Sequence, residues 1–181
     1  MKRPICSPMM TRQTENRESD VLALDSQLCF PLYAASNLLG RVYRPLLDPL
    51  GLTYSQYLVM LVLWKEGSIH VGHLAQRLFI DSATMTPILK RMQEHGLLTR
   101  HRDPSDQRCV TVKLTAHGAA LKDRAKHIPQ VLSDQMGDNL GPDEMAGLRS
   151  AVRDLVTLLA DNLKTPLGAA APITQATEEL K

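Results

Sequence analysis

Residues 69–114, IHVGHLAQRLFIDSATMTPILKRMQEHGLLTRHRDPSDQRCVTVKL, decide the fold. Val71, Leu74, Ala75 and Leu78 make one apolar stripe at helical spacing. Phe79-Ile80-Asp81 is a turn, and either Asp81 or Ser82 can cap the helix that follows. In that second helix Met85, Ile88, Leu89 and Met92 share the inward face. Ser82, Thr84, Thr86, Pro87, Lys90 and Arg91 are left outward, short polar groups first and then cations. Gly96 ends the helix, because glycine tolerates the left-handed conformation common there. Leu97 to Arg102 and Cys109 to Leu114 then alternate as strands around the polar loop 103–108. Helix, turn, helix and hairpin make a winged helix-turn-helix, a shape that lays its second helix in a DNA major groove. Two packed helices with a glycine stop also serve as plain structure, so the pattern alone leaves both readings open.

Charge separates them. Residues 70–115 carry seven Lys/Arg against four acids and hold four of the six histidines, whereas residues 134–181 carry four Lys/Arg against eight acids. A net charge of +2 therefore conceals a basic centre, the footprint expected of a phosphate-binding face.

Outward from this unit the chain reads as helices. Apolar positions 28, 32, 35, 39, 42 and 46 predict a long first helix ending near Asp48, capped by Asp25 or beginning near Pro31. Thr53 and Gln56 fit a capping box ahead of YLVMLVLW (57–64), apolar nearly all round and so central. Thr115 caps a further helix running at least to His127 and kinked or ended by Pro129, and Pro142 opens the last. The expected fold is mainly α with a small β wing. It has a winged helix-turn-helix over about 53–115 and long dimerisation helices over about 25–48 and 116–164. These form one domain, 21–164, between disordered tails at 1–20 and 165–181. Stripes at both ends of the chain are most economically covered in a two-fold homodimer; a monomer that covers its own stripes is the other arrangement.

No apolar run reaches the length of a membrane span or a signal peptide, so a cytoplasmic protein is expected. Cys6, Cys29 and Cys109 cannot close a disulfide set and match no zinc spacing, and no metal or cofactor is expected. The seven aromatic residues all fall between Phe30 and Phe79, with Cys29 at the head of the run. Cys29 reads either as a small buried hydrophobe or as a peroxide-sensing thiolate held by tyrosine hydroxyls. Lowering a thiol pKa by about 2 units takes roughly 2.7 kcal/mol. A helix N-terminus gives about 0.3–1 kcal/mol, and two hydroxyl donors to a charged sulfur give about 1.5–3 kcal/mol each. Tyrosines near the sulfur would decide the second reading.

In LCFPLYAASN (28–37), YRPLLDPLGLTYSQYLVMLVLW (43–64), LFIDSATMTPILKRM (78–92) and DPSDQRCVTVKLT (103–115) the chain resembles the MarR family of winged-helix regulators. Within that family it is similar to the organic-hydroperoxide-sensing, OhrR-like branch, over roughly residues 22–132. The resemblance implies a peroxidatic Cys29, with Tyr43 and Tyr54 bonding its thiolate across a dimer interface. It also implies a wing Arg108 in a minor groove, braced by Asp106. Residues 115–140 lack a cysteine, unlike members with a resolving one, so a small-molecule thiol is the implied trap, with Cys6 or Cys109 as the other possible partners. The implied function is a non-enzymatic redox repressor that binds double-stranded operator DNA when reduced and leaves it when an organic hydroperoxide oxidises Cys29. The alternatives are a repressor released by a small aromatic ligand, or a thiol peroxidase.

Overall fold

The computed structural model describes residues 22–102, 109–137 and 141–163. The expected tails and the wing loop, with Asp106 and Arg108, lie outside them. The helices are α1 (Cys29–Leu47), α2 (Tyr54–Glu66), α3 (Val71–Leu78), α4 (Ser82–Glu94), α5 (Ala116–Ala125), α6 (Ile128–Gly137) and α7 (Pro142–Asn162). The strands are β1 (Ser68–His70), β2 (Leu98–Arg102) and β3 (Val110–Leu114), and short 3-10 turns occupy Leu24–Ser26 and Asp48–Leu50. The chain divides into two compact units, with the boundary between Arg124 and Ala125. It is a winged-helix architecture, mostly helical with one small antiparallel sheet.

The sheet has three strands in the order β1-β3-β2, not the two read from the sequence. In β1 Ile69 lies opposite Val112, and in β2 Arg100 lies opposite that same residue from the other side. The third strand has only three residues, too few for alternation to register. Gly67 precedes it with φ +78°, a left-handed turn that swings the chain from α2 into the sheet.

Helix ends follow their local chemistry. The Thr53 hydroxyl accepts from the Gln56 N–H at 3.4 Å, and the Gln56 side chain accepts from the Thr53 N–H at 2.9 Å. α1 begins at Cys29 and not at an Asp25 cap; Asp25 sits in the preceding 3-10 turn. Pro31 is then the third helical residue, where its missing N–H would have had no helical partner. Pro45 stands inside the last turns of α1, and the helix stops two residues later. The break after α5 falls before Pro129, which sits at the second position of α6 and so starts a helix instead of ending one.

The first unit is organised around α2. Tyr57, Val59, Met60 and Leu63 are buried, although Leu61 is 42% exposed, so the helix is not apolar-packed all round. Against it lies α4, whose Met85, Leu89 and Met92 are fully buried at one-turn and two-turn spacing. Each such side chain contributes about 1.5–3 kcal/mol through removal from water. The apolar side chains Leu28, Tyr33, Leu38 and Val42 on or beside α1 remain exposed, as do Leu148, Val152, Leu158 and Leu159 of α7.

The joint between the wing and α5 is tightly packed at Gly118. A Cβ added at Gly118 would collide with the Leu97 carbonyl oxygen and press on a Leu114 methyl. Gly118→Ala is therefore expected to lower stability by about 1–3 kcal/mol in urea denaturation. Gly72→Ala, with nothing within 4 Å of the added carbon, should cost far less.

Candidate functional site

Two sets of residues have the chemistry for function. The first lies on α4. Asp81 caps this helix: its carboxylate accepts from the Thr84 N–H at 2.7 Å and from the Thr84 hydroxyl at 2.9 Å. The Thr84 N–H first, then its hydroxyl, hold the Asp81 carboxyl below the usual range. Asp81 thus stays ionised at neutral pH, and the stability it supplies would be lost only as pH falls through that lowered value. Leu97 N–H returns to the Met92 carbonyl at 2.9 Å beyond Gly96, whose φ is +66°, closing the other end of the helix. Between these stops Ser82, Thr84, Thr86, Pro87, Lys90 and Arg91 are all exposed, as expected from their spacing. Thr86 returns its hydroxyl to the Ser82 carbonyl at 2.8 Å, and Lys90 lies 3.9 Å from Glu94 one turn on. The turn before α4 holds Phe79 at φ +52° with its ring 66% exposed.

The second set is aromatic. Tyr43 of α1 lies with its ring centroid 5.0 Å from Tyr54 and 5.7 Å from Tyr57, and Tyr57 lies 6.3 Å from Trp64. The Trp64 indole N–H donates to the Gly118 carbonyl at 2.9 Å. Burial pushes the Tyr43 phenol above its ordinary pKa, and burial together with the neighbouring phenols does the same for Tyr54 and Tyr57. All three hydroxyls therefore remain protonated, and so able to donate, at neutral pH. Tyr57 escaped sequence reading because the all-round apolar pattern of α2 offers no face from which to choose it.

Cys29 is exposed, the first residue of α1, and forms no disulfide. It is not the buried hydrophobe of the blander reading within this chain. Fourteen residues of helix separate it from Tyr43, about 21 Å at the usual rise. Tyr43 and Tyr54 are thus brought together, and Cys29 is held away from them. Cys109 is half-buried beside the wing and also forms no disulfide.

The profile of the MarR family matches residues 52–110, from the start of α2 to the second wing strand. The organic hydroperoxide resistance transcriptional regulator of Bacillus subtilis is 46% identical over 124 residues, 67% of this chain and 84% of that one. The chain belongs to the MarR family. The HTH-type transcriptional regulator TtmR of Methylorubrum extorquens is 40% identical over 163 residues, covering 90% of this MarR-family chain and 80% of its own. Among solved structures, reduced AbfR bound to DNA superposes with a TM-score of 0.64 at 30% identity, covering 77% of this chain and 94% of that one. A mutant MarR from E. coli complexed with operator DNA gives 0.64 at 28% identity, over 71% and 92% of the two chains. Membership makes this a transcriptional regulator, not an enzyme. Among the described residues no single helix is long and apolar enough to cross a membrane.

The tyrosine cluster can be tested directly. In Tyr43→Phe the ring contacts persist but one phenol no longer opposes the ionisation of the others. Spectrophotometric titration should show Tyr54 and Tyr57 ionising at lower pH than in the parent; unchanged titration would mean that the rings do not communicate.

Proposed function

We propose that this MarR-family regulator is a cytoplasmic homodimeric repressor that binds operator DNA while Cys29 is reduced and leaves it once an organic hydroperoxide has oxidised that residue. The observation that carries the DNA half is the outer face of α4. Six residues suited to base edges and phosphates are exposed there, while Met85, Leu89 and Met92 anchor the opposite face. Lys90 and Arg91 supply charge, and Arg108 with Asp106, outside the described residues, would add a wing contact in a minor groove. Reduced AbfR bound to DNA and a mutant MarR complexed with operator DNA, both similar in fold, support the same docking.

The redox half rests on the separation within α1. The Cys29 thiol and the Tyr43 phenol stand about 21 Å apart on one helix, and Tyr54 of α2 lies beside Tyr43, so thiol and phenols do not meet within one chain. A second copy, packed on the exposed stripes of α1 and α7, would supply Tyr43 and Tyr54 to the partner thiol. A relative named for organic hydroperoxide resistance supports this reading. In the step itself the thiolate sulfur of Cys29 attacks the terminal peroxide oxygen, the O–O bond breaks, and the alkoxide leaves and gains a proton from water. Sulfur loses two electrons and becomes a sulfenic acid. A small cellular thiol then forms an S–S bond to it and the hydroxyl departs as water. The enlarged residue 29 no longer accepts the tyrosine bonds, and the dimer shifts to a spacing that misplaces the two α4 helices.

Binding is measured on a duplex selected from a randomised library. Lys90→Ala should weaken binding uniformly and reduce the salt slope by about one, and Arg108→Ala should weaken it strongly and relax selection at narrow minor grooves. Parent-like binding by both variants would refute the docking. Cys29→Ser should bind like the parent and stay bound after an organic hydroperoxide and a small thiol are added. Tyr43→Phe and Tyr54→Phe should bind DNA but oxidise more slowly, because a donor to the charged sulfur is lost. Release of the Cys29→Ser protein by peroxide would remove Cys29 as the sensor.

A further inference from the structure

A cleft of about 630 Å³ lies between the start of α3, the first turns of α4 and the strands of the wing. Its polar lining is two imidazoles, His70 and His73, two guanidiniums, Arg100 and Arg102, and two hydroxyls, Ser82 and Thr86. Among the described residues no carboxylate lines it. Ser82 and Thr86 also belong to the exposed face of α4, so the cleft is continuous with the surface assigned to DNA.

We propose that this cleft seats one backbone phosphate of the bound duplex, and that His70 and His73 take up protons as it does so. The inference rests on the DNA-binding function proposed above and adds a proton-linked contact to it. A phosphodiester seated among the imidazoles and guanidiniums adds a negative charge that favours the imidazolium. Phosphate binding and proton uptake are therefore one equilibrium.

The side chains are held for this purpose. His70 Nδ1 and the Thr111 hydroxyl lie 3.1 Å apart, which fixes the ring and directs Nε2 as the remaining donor when the imidazole is protonated. The His73 ring stands edge-on to it at a centroid distance of 5.9 Å, close enough for both to serve one anion. Arg100 is steadied by its Nε–H, which donates to the Gln93 side chain at 2.6 Å. Behind His73 lie Glu66 of α2 and Arg77 of α3, paired with each other at 2.9 Å, so their charges largely offset one another there. From the wing, the Cys109 thiol completes the titratable groups that face the cleft among the described residues. His101 is engaged elsewhere, with the Thr99 hydroxyl at 2.9 Å.

The test titrates the library-selected duplex into the full chain by calorimetry in two buffers of different ionisation enthalpy, and follows Kd from about pH 6 to 8. The parent should take up protons on binding, its Kd weakening by up to about tenfold per pH unit for each proton. In the double variant His70→Gln, His73→Gln uptake should fall and the pH dependence flatten. Both histidines are exposed, and the parent's proton uptake is read without any variant. Absence of uptake in the parent, or equal uptake in the variant, overturns the proposal. Equal uptake with inorganic phosphate in place of DNA overturns the assignment to the duplex. Failure of the parent to bind any duplex at any pH would overturn the DNA reading itself, and this inference with it.

Discussion

The joint at Thr115 and Gly118 governs the geometry of the winged unit. The Thr115 hydroxyl donates to the Gly96 carbonyl at 2.6 Å and accepts from the Gly118 N–H at 3.0 Å. Its own N–H donates to the Leu97 carbonyl at 3.1 Å. One threonine thereby ties the end of α4, the base of both long wing strands and the first turn of α5. The absence of a side chain at Gly118 lets the Leu97 backbone come close enough to do it. Any tilt of α4 must therefore move the wing base with it, and the surface offered to a duplex shifts as a body.

The same joint receives the aromatic side chains. Trp64 bonds the Gly118 carbonyl, and its ring begins a series of contacts running through Tyr57 and Tyr43 to Tyr54. A change at the phenols thus has a continuous packed route to the joint that holds the end of α4. Close packing matters here because such an interior repacks between discrete arrangements and does not yield gradually.

Much of this was legible in the sequence wherever chemistry is local. Asp81, Thr53 with Gln56, Thr115 and Gly96 announce their roles within four residues, because a cap or a left-handed stop is decided by its neighbours. The outward set on α4 followed from helical spacing. What escaped depends on distant partners. β1 is a strand only because Ser68–His70 meets β3 more than forty residues later. The break near Pro129 was read from the proline itself, but α5 stops at Ala125, short of the expected His127, and Pro129 falls in the first turn of α6. The histidine cleft draws its lining from α3, α4 and the wing, so no single window contains it. The distance between Cys29 and Tyr43 was implicit in fourteen residues of helix, yet it says nothing about the second copy until α1 is known to be unbroken between them.

Phe79 carries a cost that none of this requires. A side chain with φ at +52° pays roughly 1–2 kcal/mol relative to a right-handed conformation, and its ring gains little in return while 66% exposed. Asparagine tolerates that backbone and glycine is indifferent to it. The turn between α3 and α4 is therefore a place where an engineer could add thermal tolerance and remove a sticky surface ring together. Neither the thiol, the phenols nor the proposed phosphate seat would be touched.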